Sequence, residues 1–205
     1  VGVNAAWAHR VVFRGIQQAR AGTPQMKLVV IDPRKTMTAE QADLHLPLQP
    51  GSDVWLFHGL CRYLLQSGAV DRAYVDAHVD GFPALAALLD DPEYDESAIA
   101  RRCGLSEVDL RAFFRWFAAE PKTVTLFCQG VNQSNQGTDK ANSIINAHLL
   151  TGRVGKPGAS PFSMTGQPNA MGGREVGGLA TQLTAHMGFN DTDCQRVQDF
   201  WQSPT

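Results

Sequence analysis

The sequence predicts an α/β fold: a parallel sheet flanked by helices, followed by a Gly-rich crossover strip. Three observations carry this reading. Two short runs rich in β-branched residues, "MKLVVI" (26–31) and "TVTLF" (123–127), have the length and composition of buried strands. Segments with helical spacing of apolar residues lie between and after them. Beyond Gly155 the texture changes, and residues 155–173 are dominated by Gly, Pro, Ser and Asn without a period. Strands alternating with helices point to a parallel sheet, because parallel neighbours need a long crossover connection.

Taken in order, residues 6–21 ("AWAHRVVFRGIQQARA") place Val11, Val12, Ile16 and Ala19 at helical spacing, and Gly22-Thr23-Pro24 supplies the stop. Asp32-Pro33 ends the first strand. "ADLHLPLQPGS" (42–52) alternates through Leu44, Leu46 and Leu48 and turns at Pro50-Gly51, as a short extended segment does. Ser52 is placed to cap a helix from Asp53, with apolar residues at 54, 57, 60, 61 and 64. Residues 70–120 read as helical pieces, and Ser106 with Asp109 makes a capping-box-like start for "EVDLRAFFRWFAAE". The strand at 123–127 runs into Gln129-Gly130 and the polar loop "VNQSNQGTD". A helix over about 139–151 then ends at Gly152. The expected organisation is an α/β domain over 1–154. After it, residues 155–205 form a Gly/Pro-rich strip and a helix returning toward a neighbouring domain.

The chain has 205 residues, 43% of them hydrophobic, enough for one large domain or a domain with an appendage. Charged residues are a low 19%, as when part of a surface is covered. A net charge of −2 and the absence of a Lys/Arg run argue against nucleic acid as a partner. No apolar run approaches a membrane span, and nothing has the pattern of a signal peptide. Cysteines 61, 103, 128 and 194 form no CxxC pair. The apolar neighbours of Cys61 and Cys128 fit reduced, buried thiols in a cytoplasmic protein, and the spacing does not indicate a metal site within the chain. Val1-Gly2-Val3-Asn4 reads as a strand end running into a turn, an expected sign of a fragment of a longer polypeptide.

In an open parallel sheet, ligands bind beyond the carboxyl ends of the strands. Three such ends carry polar turns: Gly2-Val3-Asn4, Asp32-Pro33-Arg34 and Gln129-Gly130-Val131-Asn132. The first feeds a helix start, where free N–H groups favour a phosphate. Asp32 resembles the acid that holds a ribose hydroxyl, yet GVNAA is not GxGxxG. The Gly-to-Asp spacing also exceeds the usual ~20 residues, which disfavours an ordinary NAD site. Asp53 offers a carboxylate to a guanine edge, or simply stabilises a helix N-terminus. Plainer readings stand beside these. Asn4 can cap a helix, Arg34 can be a solvated charge, and Gln129 and Asn132 can satisfy loop backbone. His9, His45 and His58 lack metal-site spacing.

The segments "GVNAAWAHRVVFRGI", "KLVVIDPRKT", "ADLHLPLQPGSDVWLFHGL", "CQGVNQSNQGTDKANSIINAHLLTGRVGKPG" and "PFSMTGQPNAMGGREVGGLA" occur in this order across residues 2–180. Together they resemble the central part of molybdenum oxidoreductases of the dimethyl sulfoxide reductase superfamily, and the last segment resembles assimilatory nitrate reductases. The resemblance implies a Rossmann-like domain binding one arm of a bis-molybdopterin guanine dinucleotide cofactor with Mo. It implies nitrate as substrate, oxygen-atom transfer as the reaction, and a 4Fe-4S centre in a region upstream of this chain. Ferredoxin, flavodoxin or an NADH-linked reductase would be the electron donor, and the rest of the parent polypeptide the main partner.

Carried over by position, Gly2 and Asn4 match the turn contacting the pyrophosphate, and Asp32 and Arg34 the pair beside the nucleoside. Gly51 and Asp53 match the turn and acid of guanine recognition. Gln129, Gly130 and Asn132 match a loop near the pterin. The Gly-rich strip would lie against the pterin with Gln167 and Asn169 as hydrogen-bond partners, since backbone without side chains can approach a flat cofactor closely. Met171 and Arg174 match positions lining a nitrate funnel. A planar guanidinium suits a planar trigonal oxyanion, and the plainer alternative for Arg174 is an ion pair with Glu175 or a cap on the following helix. The four cysteines match neither the cluster motif nor the metal ligand, so the chain alone is expected to be inactive.

Three other readings stay open at this point: another enzyme of the same superfamily, such as a formate dehydrogenase or a periplasmic nitrate reductase, a Rossmann-like nucleotide-binding module without redox chemistry, and a purely structural domain. The NAMGGREVGG strip argues against the first, the GVN turn against the second, and three polar strand ends against the third.

Overall fold

A computed structural model describes residues 1–165, 173, 175–176 and 183–203. Two compact units divide the chain, Val1–Met164 and Thr165–Thr205. In the first, α1 (Ala5–Ala8) and α2 (Arg10–Gly22) lead to β1 (Val29–Ile31) and β2 (Leu44–Leu46). Five helices follow: α3 (Asp53–Gln66), α4 (Arg72–His78), α5 (Phe82–Leu89), α6 (Glu96–Cys103) and α7 (Glu107–Ala119). Then come β3 (Val124–Phe127), α8 (Gln129–Asn132), α9 (Gly137–Leu150) and β4 (Ser160–Ser163). The fold is mixed α/β with short parallel strand pairs, as the alternation of strands and helices predicts.

β1 pairs in parallel with β2, Val30 opposite His45, and β3 in parallel with β4, Leu126 opposite Phe162. The amino-terminal segment joins the two pairs. The Val1 nitrogen donates to the Leu126 carbonyl at 2.6 Å, and the Gly2 N–H donates to the Ile31 carbonyl at 3.0 Å. Successive residues thus bond to opposite neighbours, as in an extended strand. The strand-bearing segments therefore lie in the order third, second, first, fourth, fifth. The order reverses between residues 1–2 and β3, and at such a reversal the crossovers diverge and leave a crevice.

The core lies between the sheet and the helices after β2. Leu56, Phe57, Leu60 and Leu64 of α3 are fully buried, and α3 packs on α9, α6 and α7. Phe57 meets Phe113 edge-on at 6.3 Å, a favoured aromatic geometry. Arg153 reaches back to the Phe117 carbonyl at 2.5 Å and the Glu120 carbonyl at 2.6 Å, tying the end of α7 to the turn after α9. Burial pushes the Cys61 thiol to about 12 and the Cys103 thiol to about 11, so both are protonated near neutrality. Cys128 is buried too, and none of the four cysteines is in a disulfide.

Several expectations need adjustment. The helix over 6–21 breaks at His9, whose φ of −133° is not helical. Val11 stays 87% exposed and the buried side chain of α2 is Phe13. Polar tethers set the pose of α2 instead. Gln17 bonds Gln41 at 2.7 Å, and the Arg20 guanidinium reaches the Gln41 carbonyl and Asp43, each at 2.8 Å. Ser52 does not cap α3 with its side chain, and its hydroxyl donates backwards to the Gln49 carbonyl at 2.6 Å. Ser106 does accept the Asp109 N–H, at 3.1 Å. The polar loop after β3 contains α8. β4 forms within the stretch that has no sequence period, and Pro161 is tolerated because a proline can sit where no ladder donor is required.

In the second unit a 3-10 turn at Thr184–His186 precedes α10 (Asp191–Trp201). Asn190 caps it, accepting the Asp193 N–H at 3.0 Å, and Val197 is its buried residue. Among the described residues no helix is long and apolar enough to cross a membrane.

Candidate functional site: the crevice at the strand ends

At the reversal of strand order, Gly2 and Gly130 meet backbone to backbone. The Gly130 N–H donates to the Gly2 carbonyl at 3.1 Å. Gly2 has φ +58°, and a Cβ there would stand 2.9 Å from the Gly130 Cα. A Cβ on Gly130 would stand 2.8 Å from the Gly2 carbonyl oxygen. Side chains are thus excluded where the two strand exits cross, and backbone is left exposed to the crevice.

Asn4 lies two residues beyond Gly2 and is half-buried. It stands at the N-cap of α1 without a side-chain cap bond. Its Oδ1 instead accepts the Thr38 hydroxyl at 2.9 Å, while Thr38 Oγ1 accepts the Ala6 N–H at 3.0 Å. The capping role open to Asn4 in the sequence is thus taken by Thr38.

Beside it, Asp32 extends the β1–β2 pairing, its N–H donating to the Leu46 carbonyl at 3.2 Å. Its Oδ1 accepts the Arg34 N–H at 2.9 Å in an Asx turn, and the His45 ring bonds its carbonyl at 2.9 Å. Arg34 is exposed. Gly51, at φ +91°, opens a cleft of about 370 Å³ between α3 and α9 that Trp55, His58 and Asp139 also line. Burial lowers the His58 imidazole below its usual range, partly opposed by Asp139.

Asp53, the first residue of α3, is 7% exposed, and its Oδ2 lies 2.8 Å from Lys140 Nζ of α9, itself 5% exposed. No local motif marks Lys140. It shares a buried stripe with Ser143, Ile144 and Ala147, and a lysine at that spacing in an apolar stripe is the signal that points to a partner.

On the far side, Gln129 and Gly130 open α8 and are exposed. Asn132 Nδ2 donates to Ser163 Oγ at 2.9 Å, tying the α8 turn to the end of β4. The first unit thus brings Gly2, Asn4, Asp32, Gln129 and Gly130 to one sheet edge. Gln167, Asn169, Met171 and Arg174 lie outside the described residues. Glu175, the alternative partner for Arg174, bonds His186 at 2.6 Å.

Comparison with known proteins agrees with this architecture. The family model described as molybdopterin oxidoreductase matches residues 1–198. The chain is 50% identical over 203 residues to a nitrate reductase of Klebsiella oxytoca, covering 99% of this chain and 23% of that protein. It is 49% identical over 203 residues to a nitrate reductase of Shewanella frigidimarina, covering 98% of this chain and 21% of that protein. The chain thus spans under a quarter of the length of these relatives. Among solved structures, acetylene hydratase from Pelobacter acetylenicus superposes with a TM-score of 0.51 at 27% identity, covering 68% of this chain and 18% of that one. With the family model matched from the first strand into α10, and the strand-end crevice in place, the chain belongs to the molybdopterin oxidoreductase family.

Proposed function

We propose that this chain is part of a molybdenum-dependent, assimilatory nitrate reductase of the cytoplasm, and that its first unit is a Rossmann-like domain holding one guanine dinucleotide arm of a bis-molybdopterin cofactor. One observation carries the reading. The strand exits close on each other through Gly2 and Gly130, with room for backbone alone where the strand order reverses, in a chain half identical to a nitrate reductase. The donor set fits such a group. Backbone N–H groups and the Asn4 amide suit pyrophosphate, and a carboxylate at Asp53 suits the N–H edge of guanine.

When bound, the molybdenum–pterin group supplies the two-electron chemistry that removes one oxygen from nitrate. With two protons the products are nitrite and water. The chain's own residues bind and orient. Asp32 and Arg34 flank the nucleoside, while Gly51 and Asp53 receive the base. Gln129, Gly130 and Asn132, with Gln167 and Asn169 of the strip, border the pterin. Met171 and Arg174 guide nitrate, the guanidinium matching the trigonal anion through its fork of donors. A 4Fe-4S centre elsewhere in the parent polypeptide would deliver electrons from a ferredoxin, a flavodoxin or an NADH-linked reductase.

The test is the parent enzyme purified with its metal. Reduced viologen dye should drive stoichiometric conversion of nitrate to nitrite, and acid hydrolysis should release GMP in proportion to molybdenum. Molybdenum-loaded protein that turns over formate but not nitrate would overturn the substrate. Release of a different nucleotide would overturn the guanine reading.

A further inference from the structure

We propose that Thr38, which lies outside every strand-end turn, is a positioning residue for the cofactor because it sets the polarity of the Asn4 side chain. The inference rests on the reading above, in which Asn4 contacts the cofactor's pyrophosphate.

A hydroxyl has one proton to give and lone pairs to receive. Thr38 Oγ1 receives the Ala6 N–H at 3.0 Å, supplying the acceptor that the start of α1 needs. Its one proton goes to Asn4 Oδ1 at 2.9 Å. Both bonds have ordinary length, and Thr38 is 5% exposed, so packing holds the hydroxyl in place. The turn carrying it is fastened as well. The Glu40 N–H donates to the Thr36 carbonyl at 2.9 Å, and the Ala39 N–H donates to the Thr36 hydroxyl at 3.3 Å.

Two consequences follow for Asn4. It is released from capping its own helix, the ordinary use of an asparagine in that position. Its Oδ1 is also turned toward Thr38, so the Nδ2 end points away from Thr38 with both hydrogens. Among the described residues nothing receives them. An amide held this way offers donors only. The group it suits is acceptor-only, such as a phosphoryl oxygen, and a hydroxyl or amine donor is disfavoured there.

The test uses the intact parent enzyme and reads molybdenum and acid-released GMP per polypeptide. Asn4→Ala should lower retention about tenfold, the range of a hydrogen bond to a charged group. Thr38→Val, which keeps the shape and removes the hydroxyl, should give a loss of similar size, and Thr38→Ser should restore retention. The double variant should be no worse than Asn4→Ala alone, since Thr38 acts through Asn4. Asn4→Asp keeps the bond to Thr38 but turns an anionic oxygen toward the phosphate, so it should lose more cofactor than Asn4→Ala. That variant tests the polarity even if Thr38→Val does not fold. Loss with Asn4→Ala but none with Thr38→Val overturns the role of Thr38 and leaves the cofactor reading standing. A further loss in the double variant marks Thr38 as merely structural and overturns the proposal. Full retention in Asn4→Ala overturns the pyrophosphate contact itself, and the inference with it.

Discussion

Gly2 and Gly130 form a reciprocal contact in which each leaves no room for a side chain on the other. The Gly2 carbonyl receives the Gly130 N–H at 3.1 Å, and a Cβ on either residue would come within 3 Å of the other's backbone. Gly2→Ala adds a left-handed φ of +58° to that overlap. The expected cost is about 2–5 kcal/mol, the sum of left-handed strain and overpacking. Gly15→Ala in α2 is the control. It has nothing within 4 Å of an added Cβ and should stabilise by about 0.5–1 kcal/mol. Urea unfolding of the variants checks both, and equal midpoints for the two would dissolve the contact argument.

The Asp53–Lys140 pair joins the start of α3 to the first turn of α9 with both side chains almost wholly buried. Removing one partner leaves an uncompensated buried charge, so Lys140→Met should cost about 3–5 kcal/mol. Replacing both, Asp53→Leu with Lys140→Met, should recover most of that cost. The recovered protein should still lack cofactor if Asp53 receives guanine. Denaturant unfolding reads the first effect and molybdenum content the second. Normal molybdenum in the double variant would remove Asp53 from the cofactor site.

These two contacts mark what was legible in the sequence. The glycines and Asp53 stand in turns at strand ends, where local composition announces them. Lys140 and Thr38 act through partners distant in sequence, and no local pattern names a partner. Secondary structure divides in the same way. β1 and β3 carry β-branched apolar runs and α7 its own periodicity and cap, so the sequence predicts all three. β4 carries none. It exists because β3 offers a free edge, to which the Ser160 N–H donates through the Thr123 carbonyl at 3.1 Å and the Met164 N–H through the Phe127 carbonyl at 2.8 Å. α2 was legible as a helix but not in its orientation, which Arg20 and Gln17 set by reaching Asp43 and Gln41.

His148 gives the fold a pH dependence. It is fully buried in α9, bonds the Thr125 hydroxyl at 2.7 Å, and leaves Nδ1 without a partner. Burial first, and the nearby Arg153 second, lower its pKa to about 3. An unfolded imidazole titrates near 6.5. Between these values the unfolded chain binds the additional proton, so the contribution is complete above about pH 6.5 and is lost as pH falls toward 3. From pH 7 to pH 5 this one residue should remove about 2 kcal/mol. His148→Leu should flatten the slope of stability against pH over that interval, whatever its effect on absolute stability. An unchanged slope would mean that the ring takes up its proton over the same pH range in the folded protein as in the unfolded chain.

Arg174 carries the prediction about substrate. A guanidinium presents a planar fork of donors that pairs with two oxygens of a trigonal anion at once, whereas a lysine offers a point charge. If Arg174 guides nitrate, Arg174→Ala in the parent enzyme should raise the nitrate KM by about tenfold or more, the worth of a charge-assisted pair, with molybdenum content unchanged. Arg174→Lys should recover only part of the loss, because charge is restored without the fork. A fall in kcat at constant KM would instead give Arg174 a role in the reacting state. Loss of molybdenum in both variants would assign it to the cofactor rather than to nitrate. The two substitutions therefore separate charge from geometry, and the metal assay separates substrate guidance from cofactor binding.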